Sequence, residues 1–98
     1  MAKPPDLRIR SFQFAVDAIV FYRLAQATDE AARRVANQML DAAGSIGANV
    51  EEAAAGQSRA DFIAKNCIAL KEARESRYWL RLLATCGPLL GEGEGAHR

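Results

Sequence analysis

Proline is nearly missing from this 98-residue chain: only Pro4, Pro5 and Pro88 occur, so nothing between residues 6 and 87 must break a helix. Apolar and polar residues do not alternate at period two, which argues against strands. Two cysteines, Cys67 and Cys86, are too few for a disulfide framework and match no zinc-ligand spacing. The sequence therefore predicts reduced thiols and a cytoplasmic location. His97 is the only histidine and lies in a Gly/Glu-rich end, so a Ser-His-Asp or Cys-His arrangement has no histidine on a rigid scaffold. Glu51, Glu52, Glu72 and Glu75 lack the Glu-x-x-His pairs of a bundle di-iron site. Gly44 and Gly47 have neither the spacing nor the lysine of a phosphate loop. Charge is balanced, with 13 Lys and Arg against 12 Asp and Glu, so any basic surface must be local. No apolar run approaches the roughly 18 residues of a membrane span, and the first residues do not form a secretory signal. The expectation is a protein that is not an enzyme and uses no cofactor, no metal, no membrane and no small-molecule substrate.

Alanine-rich helical periodicity fills the interior instead. A first helix is predicted from residue 6 or 7 to about 26, with Ile9, Phe12, Val16 and Ile19 lining one face. Phe14, Val20, Phe21 and Leu24 widen that surface, so this helix must bury more than one side. Thr28-Asp29-Glu30 supplies an N-cap and an acidic first turn for a second helix starting near residue 29. Its seam is Val35, Met39, Ala42, Ile46, Asn49 and Ala53, with Gly44 and Gly47 read as points of close helix packing. Gly56 reads as a left-handed C-cap. Ser58-Arg59-Ala60-Asp61 reads as a capping box that opens a third helix running to about residue 85. A two-residue connection makes these two helices antiparallel neighbours. The third helix places Phe62, Asn66, Ala69, Ala73, Ser76, Leu80 and Leu83 inward, with Ile63, Cys67, Leu70, Ile68, Trp79 and Leu82 as apolar flanks. Gly87-Pro88 stops it. Residues 1–6 read as a flexible lead, 7–87 as one bundle domain and 88–98 as a disordered tail.

Two groups of polar residues stand out. Lys71, Arg74, Tyr78 and Arg81 recur at helical spacing as a cationic strip with an aromatic ring, suited to phosphates or an acidic partner, although Lys71 with Glu75 reads as a self-satisfied pair. Asn49 and Glu52 lie beside the small-residue seam and read as polar anchors that fix helix register, bonded to an arginine or a backbone carbonyl.

The segments Ser45 to Ala53, Ser58 with Asp61-Phe62, and Ile68 to Leu80 resemble the "four helix bundle protein" family, whose early members are encoded in intervening sequences of bacterial large ribosomal RNA genes. Asn49, Glu52, Ser58, Phe62, Ala69 and Glu72 fill the family pattern. Ala53 stands where a glycine often follows the glutamate, and a short Gly/Glu-rich end replaces the expected fourth helix. The resemblance implies an antiparallel up-down bundle of three long helices with a truncated or absent fourth, assembling into an oligomeric ring, commonly a homopentamer, with no established enzymatic activity. It also implies a fold similar to the accessory variability determinant of diversity-generating retroelements, which binds a reverse transcriptase and nucleic acid. The expected function is an oligomeric, non-catalytic scaffold that binds RNA or a nucleoprotein partner. The alternative is a protein-protein adaptor whose apolar groove takes a partner helix.

Overall fold

In the computed structural model, residues 6–25, 29–56 and 58–86 are described. They form three helices, α1 (Leu7–Ala25), α2 (Glu30–Ala54) and α3 (Arg59–Cys86), and no strand occurs among them. Residues 1–5 of the flexible lead and the whole tail, where a truncated or absent fourth helix is expected, lie outside the described residues.

Each start is set by a short polar side chain that takes up an otherwise unpaired backbone N–H. Asp6 Oδ1 accepts from the Arg8 N–H at 2.9 Å. That bond, followed by the Arg8 guanidinium, holds the Asp6 carboxyl below the usual carboxylate range. Asp29, in extended backbone, accepts from the Ala32 N–H at 2.8 Å and caps α2, while Thr28 lies outside the described residues. Ser58 Oγ accepts from the Asp61 N–H at 3.0 Å and opens α3 where the capping box places it. The end of α2 differs from expectation. Ala55 is the C-cap, and Gly56 does not adopt left-handed backbone. Space explains the glycine: a Cβ there would lie 2.7 Å from Asp61 Oδ2 and 3.1 Å from the Ala53 carbonyl oxygen.

Contacts along the chain fix the topology. Positions 36, 39 and 52 of α2 meet positions 83, 79 and 65 of α3. Positions 37 and 47 of α2 meet positions 22 and 11 of α1. Numbers fall on one helix as they rise on its neighbour, so both pairs are antiparallel. α1 and α3 each pack on α2, and their backbones do not approach one another. α2 is thus the middle of the fold.

Alanine dominates what is buried. Of nine buried apolar residues among those described, Ala18, Ala36, Ala42, Ala43, Ala53 and Ala69 are alanines, joined by Met39, Val50 and Leu83. Small side chains let helix backbones come close, but a buried methyl gains only about 0.8 kcal/mol by transfer. Larger rings and chains, Phe14, Phe21, Tyr22, Leu40, Trp79 and Leu80, close over this core while staying part-exposed. The expected seams of α2 and α3 are the inward faces, except that Phe62 at the start of the α3 seam is 51% exposed.

α1 inverts the expectation. Ile9, Phe12, Val16 and Ile19 do share a face, and it points outward, with Ile9 63% and Phe12 67% exposed. The buried face carries Ser11 and Ala18 instead, with Phe14, Phe21 and Tyr22 beside them. The physical reason is α2, whose small-residue seam accepts small residues of α1: a Cβ at position 47 would lie at ordinary van der Waals distance, 3.6 Å, from the Ser11 carbonyl oxygen. Close packing requires a glycine at neither position: a methyl would fit at position 47 against α1, and a Cβ at Gly44 would meet nothing within 4 Å.

Candidate functional site

Polar residues that the sequence singles out fall into two places. Around the α2 to α3 turn, Glu52 and Ser58 border a depression shared with Gly56, Asp61 and Lys65. Lys65 Nζ donates to Glu52 Oε1 at 2.9 Å, tying the end of α2 to the start of α3. This bond, then the Glu52 charge, holds the Lys65 ammonium above its usual pKa. Glu52 is exposed, so it is a surface clamp paired with a lysine, not a buried anchor paired with an arginine or a carbonyl. Asn49 is half-buried, and its side-chain Nδ2 donates to the Ser45 carbonyl oxygen at 2.8 Å within the same helix. The backbone-carbonyl partner is one of the two expected for Asn49, and the bond stays within α2. Phe62 sits in the first turn of α3, its backbone N–H donating to the Ser58 carbonyl oxygen at 3.0 Å and its side chain exposed, while Glu72 lies half-buried farther along α3.

The second place is the outer surface of α3. Lys71, Arg74, Tyr78 and Arg81 are all exposed, spaced so that they fall along one side of the helix. The expected internal neutralisation is absent: Glu75 accepts from the Trp79 indole N–H at 3.2 Å, and Lys71 pairs with no carboxylate among the described residues. Arg74, Arg77 and Arg81 likewise have no carboxylate partner there. Tyr78 packs edge-on against Trp79 with ring centroids 4.9 Å apart. This gives the strip an aromatic face fixed beside its charges.

A third feature is an apolar groove whose lining the sequence did not specify. α1 and α3 straddle α2 and leave a groove of about 660 Å³, floored by Ile46 and walled by Leu7, Phe14, Ala73, Leu80 and Ala84. Arg10, Arg77 and Arg81 rim it. The spacing of Arg77 and Arg81 shows that they share a face of α3, but only the tertiary arrangement brings Arg10 to the same groove.

Among the described residues no group of three His, Cys, Asp or Glu side chains converges to hold a metal. Cys67 and Cys86 are exposed free thiols. No helix among the described residues is long and apolar enough to cross a membrane.

Comparison with known proteins gives two findings. The sequence profile of the 23S rRNA-intervening sequence protein family matches residues 7–92. A crystal structure from Bacteroides thetaiotaomicron, described as a protein of unknown function from the S23 ribosomal protein family, is 42% identical, with a TM-score of 0.74 over 83% of this chain and 74% of that one. No curated protein matches this sequence.

Proposed function

Because the chain belongs to the 23S rRNA-intervening sequence protein family, we propose that it is a non-catalytic helical scaffold that assembles with copies of itself and binds RNA through α3. The observation that carries this reading is the outer face of the fold, where apolar and cationic residues lie exposed without partners. Ile9, Phe12, Val16 and Ile19 on α1 and Phe62, Ile63 and Leu70 on α3 face outward in the single chain. Burying a large apolar side chain fully is worth about 1.5–3 kcal/mol, so the exposed part of each contributes about 1 kcal/mol on assembly. Association costs about 4–15 kcal/mol, which the α1 stripe alone barely offsets. Both helix faces must therefore be covered, each by a different neighbour. Two different faces used in that way make head-to-tail contacts, which form a ring such as the homopentamer when the rotation between copies closes.

Assembly multiplies the cationic strip. Each copy brings Lys71, Arg74 and Arg81 with the Tyr78 ring, and several weak phosphate contacts repeated around one particle bind far more tightly than one set. The family name and the description of the neighbour both point towards ribosomal RNA genes or ribosomes, which favours RNA over an acidic protein as the ligand.

The test is RNA affinity measured against salt concentration, with Arg74→Glu combined with Arg81→Glu as the variant. Binding through the three cations of one copy should weaken with salt, at a log-log slope near −2 for single-stranded RNA, and the double variant should lose most of both affinity and slope. Affinity indifferent to salt, or unchanged in the variant, overturns the RNA half of the proposal.

A further inference from the structure

Charge alone leaves the outer strip of α3 indifferent to the form of RNA it meets, since phosphates line single strands and duplexes alike. Tyr78 removes that indifference. It stands between Arg74, four residues before it, and Arg81, three residues after it, so both guanidinium groups flank the ring on one side of the helix. Lys71 extends the row beyond Arg74, and none of the three cations pairs with a carboxylate among the described residues.

The ring is both exposed and held. Tyr78 is 54% exposed and belongs to neither cluster of the core. It meets Trp79 with ring centroids 4.9 Å apart and ring planes at 72°. Trp79 in turn packs against the buried cluster of Ala18, Met39 and Ala43, and donates its indole N–H to Glu75 Oε2 at 3.2 Å. In an edge-on pair one ring's edge meets the other's face, so at least one face of Tyr78 stays open. The contact also restricts the ring before any ligand arrives, and less side-chain freedom is then lost on binding.

We propose, on the reading of α3 as the RNA-binding surface, that Tyr78 is a stacking platform for one unpaired base, and that it raises the affinity of the strip for single-stranded RNA without raising it for duplex. The base lies on the open face of the ring, and the phosphates on either side of that nucleotide meet Arg74 and Arg81. Duplex RNA cannot use the platform, because its bases are stacked inside the helix and its deep major groove admits no side chain. It offers the cations only phosphates and 2′-hydroxyls. Every base has a face on which to stack, so the platform selects for strandedness and not for sequence.

The experiment measures the affinity of the full chain for a short oligouridylate and for an RNA duplex of the same length, each across a salt series, with Tyr78→Ala and Tyr78→Phe as variants. Neither substitution changes charge, and alanine suits an exposed helix position, so circular dichroism should show the helices intact in both. Tyr78→Ala should lose about 5- to 150-fold in affinity for the single strand, the worth of one base on an aromatic ring. Its salt slope and its affinity for the duplex should stay as they were. Tyr78→Phe keeps a ring and should bind like the unaltered chain. Single-strand affinity unchanged in Tyr78→Ala, a loss of equal size on the duplex, or a loss of equal size in Tyr78→Phe overturns the platform and leaves the cationic strip standing. Binding that is indifferent to salt, or absent for both RNAs, overturns the strip and the platform together.

Discussion

Gly44 occupies the exposed side of a long helix with nothing within 4 Å of a would-be Cβ. Glycine in a helix interior costs about 0.5–1 kcal/mol against alanine. Gly44→Ala should therefore raise stability by that amount in urea unfolding, and a loss would show that another chain lies against it. Gly56→Ala should do the opposite, because the new methyl displaces the Asp61 carboxylate and crowds the Ala53 carbonyl. Removing a cap is equally specific: Asp29→Ala should cost about 1 kcal/mol by freeing the Ala32 N–H. Two charged residues set the pH limits. Asp6 is held below its ordinary pKa, so its contribution is complete above that ordinary value and is lost as pH falls through the lowered one. Lys65 is held above its ordinary pKa, so its contribution is complete below that value and is lost as pH rises through the raised one. From these two groups, thermal stability should be flat between about pH 5 and 9, and Asp6→Asn should remove part of the acid-side decline.

Helix positions were readable from the sequence because propensity, caps and the absence of proline agree at the described helix starts, whereas the end of α2 is capped at Ala55 and not at Gly56. Asp29 and Ser58 cap where their side chains predict, and α2 and α3 turn inward the faces their spacing marks. α1 was not readable, for a physical reason. Both of its faces are apolar, so periodicity alone cannot say which one the core takes, and the bulkier stripe of Ile9, Phe12, Val16 and Ile19 looks like the better core. The small seam of α2 selects the face with Ser11 and Ala18 instead. The candidate site was readable in part: the α3 strip has the expected exposure, whereas the roles of Asn49 and Glu52 depend on where Ser45 and Lys65 stand in three dimensions. At this scale the account predicts that Ile9→Ser with Phe12→Ser leaves the circular-dichroism helix signal unchanged, since neither side chain supports the core of the single chain. The same pair should dissociate the assembly.

The whole molecule has the proportions of an open layer. Its extents are 52 × 32 × 18 Å and its radius of gyration is 15.8 Å, against about 13 Å for a compact domain of this length. Three helices with α2 in the middle and an alanine-rich core cannot wrap around one another, so the apolar outer faces of α1 and α3 stay exposed in the single chain. Sedimentation equilibrium at micromolar concentration tests this most directly. The account predicts a particle several times the 10.6 kDa of one chain, reduced to a single helical chain by Ile9→Ser with Phe12→Ser. A stable, fully helical 10.6 kDa monomer from the unaltered sequence would contradict it.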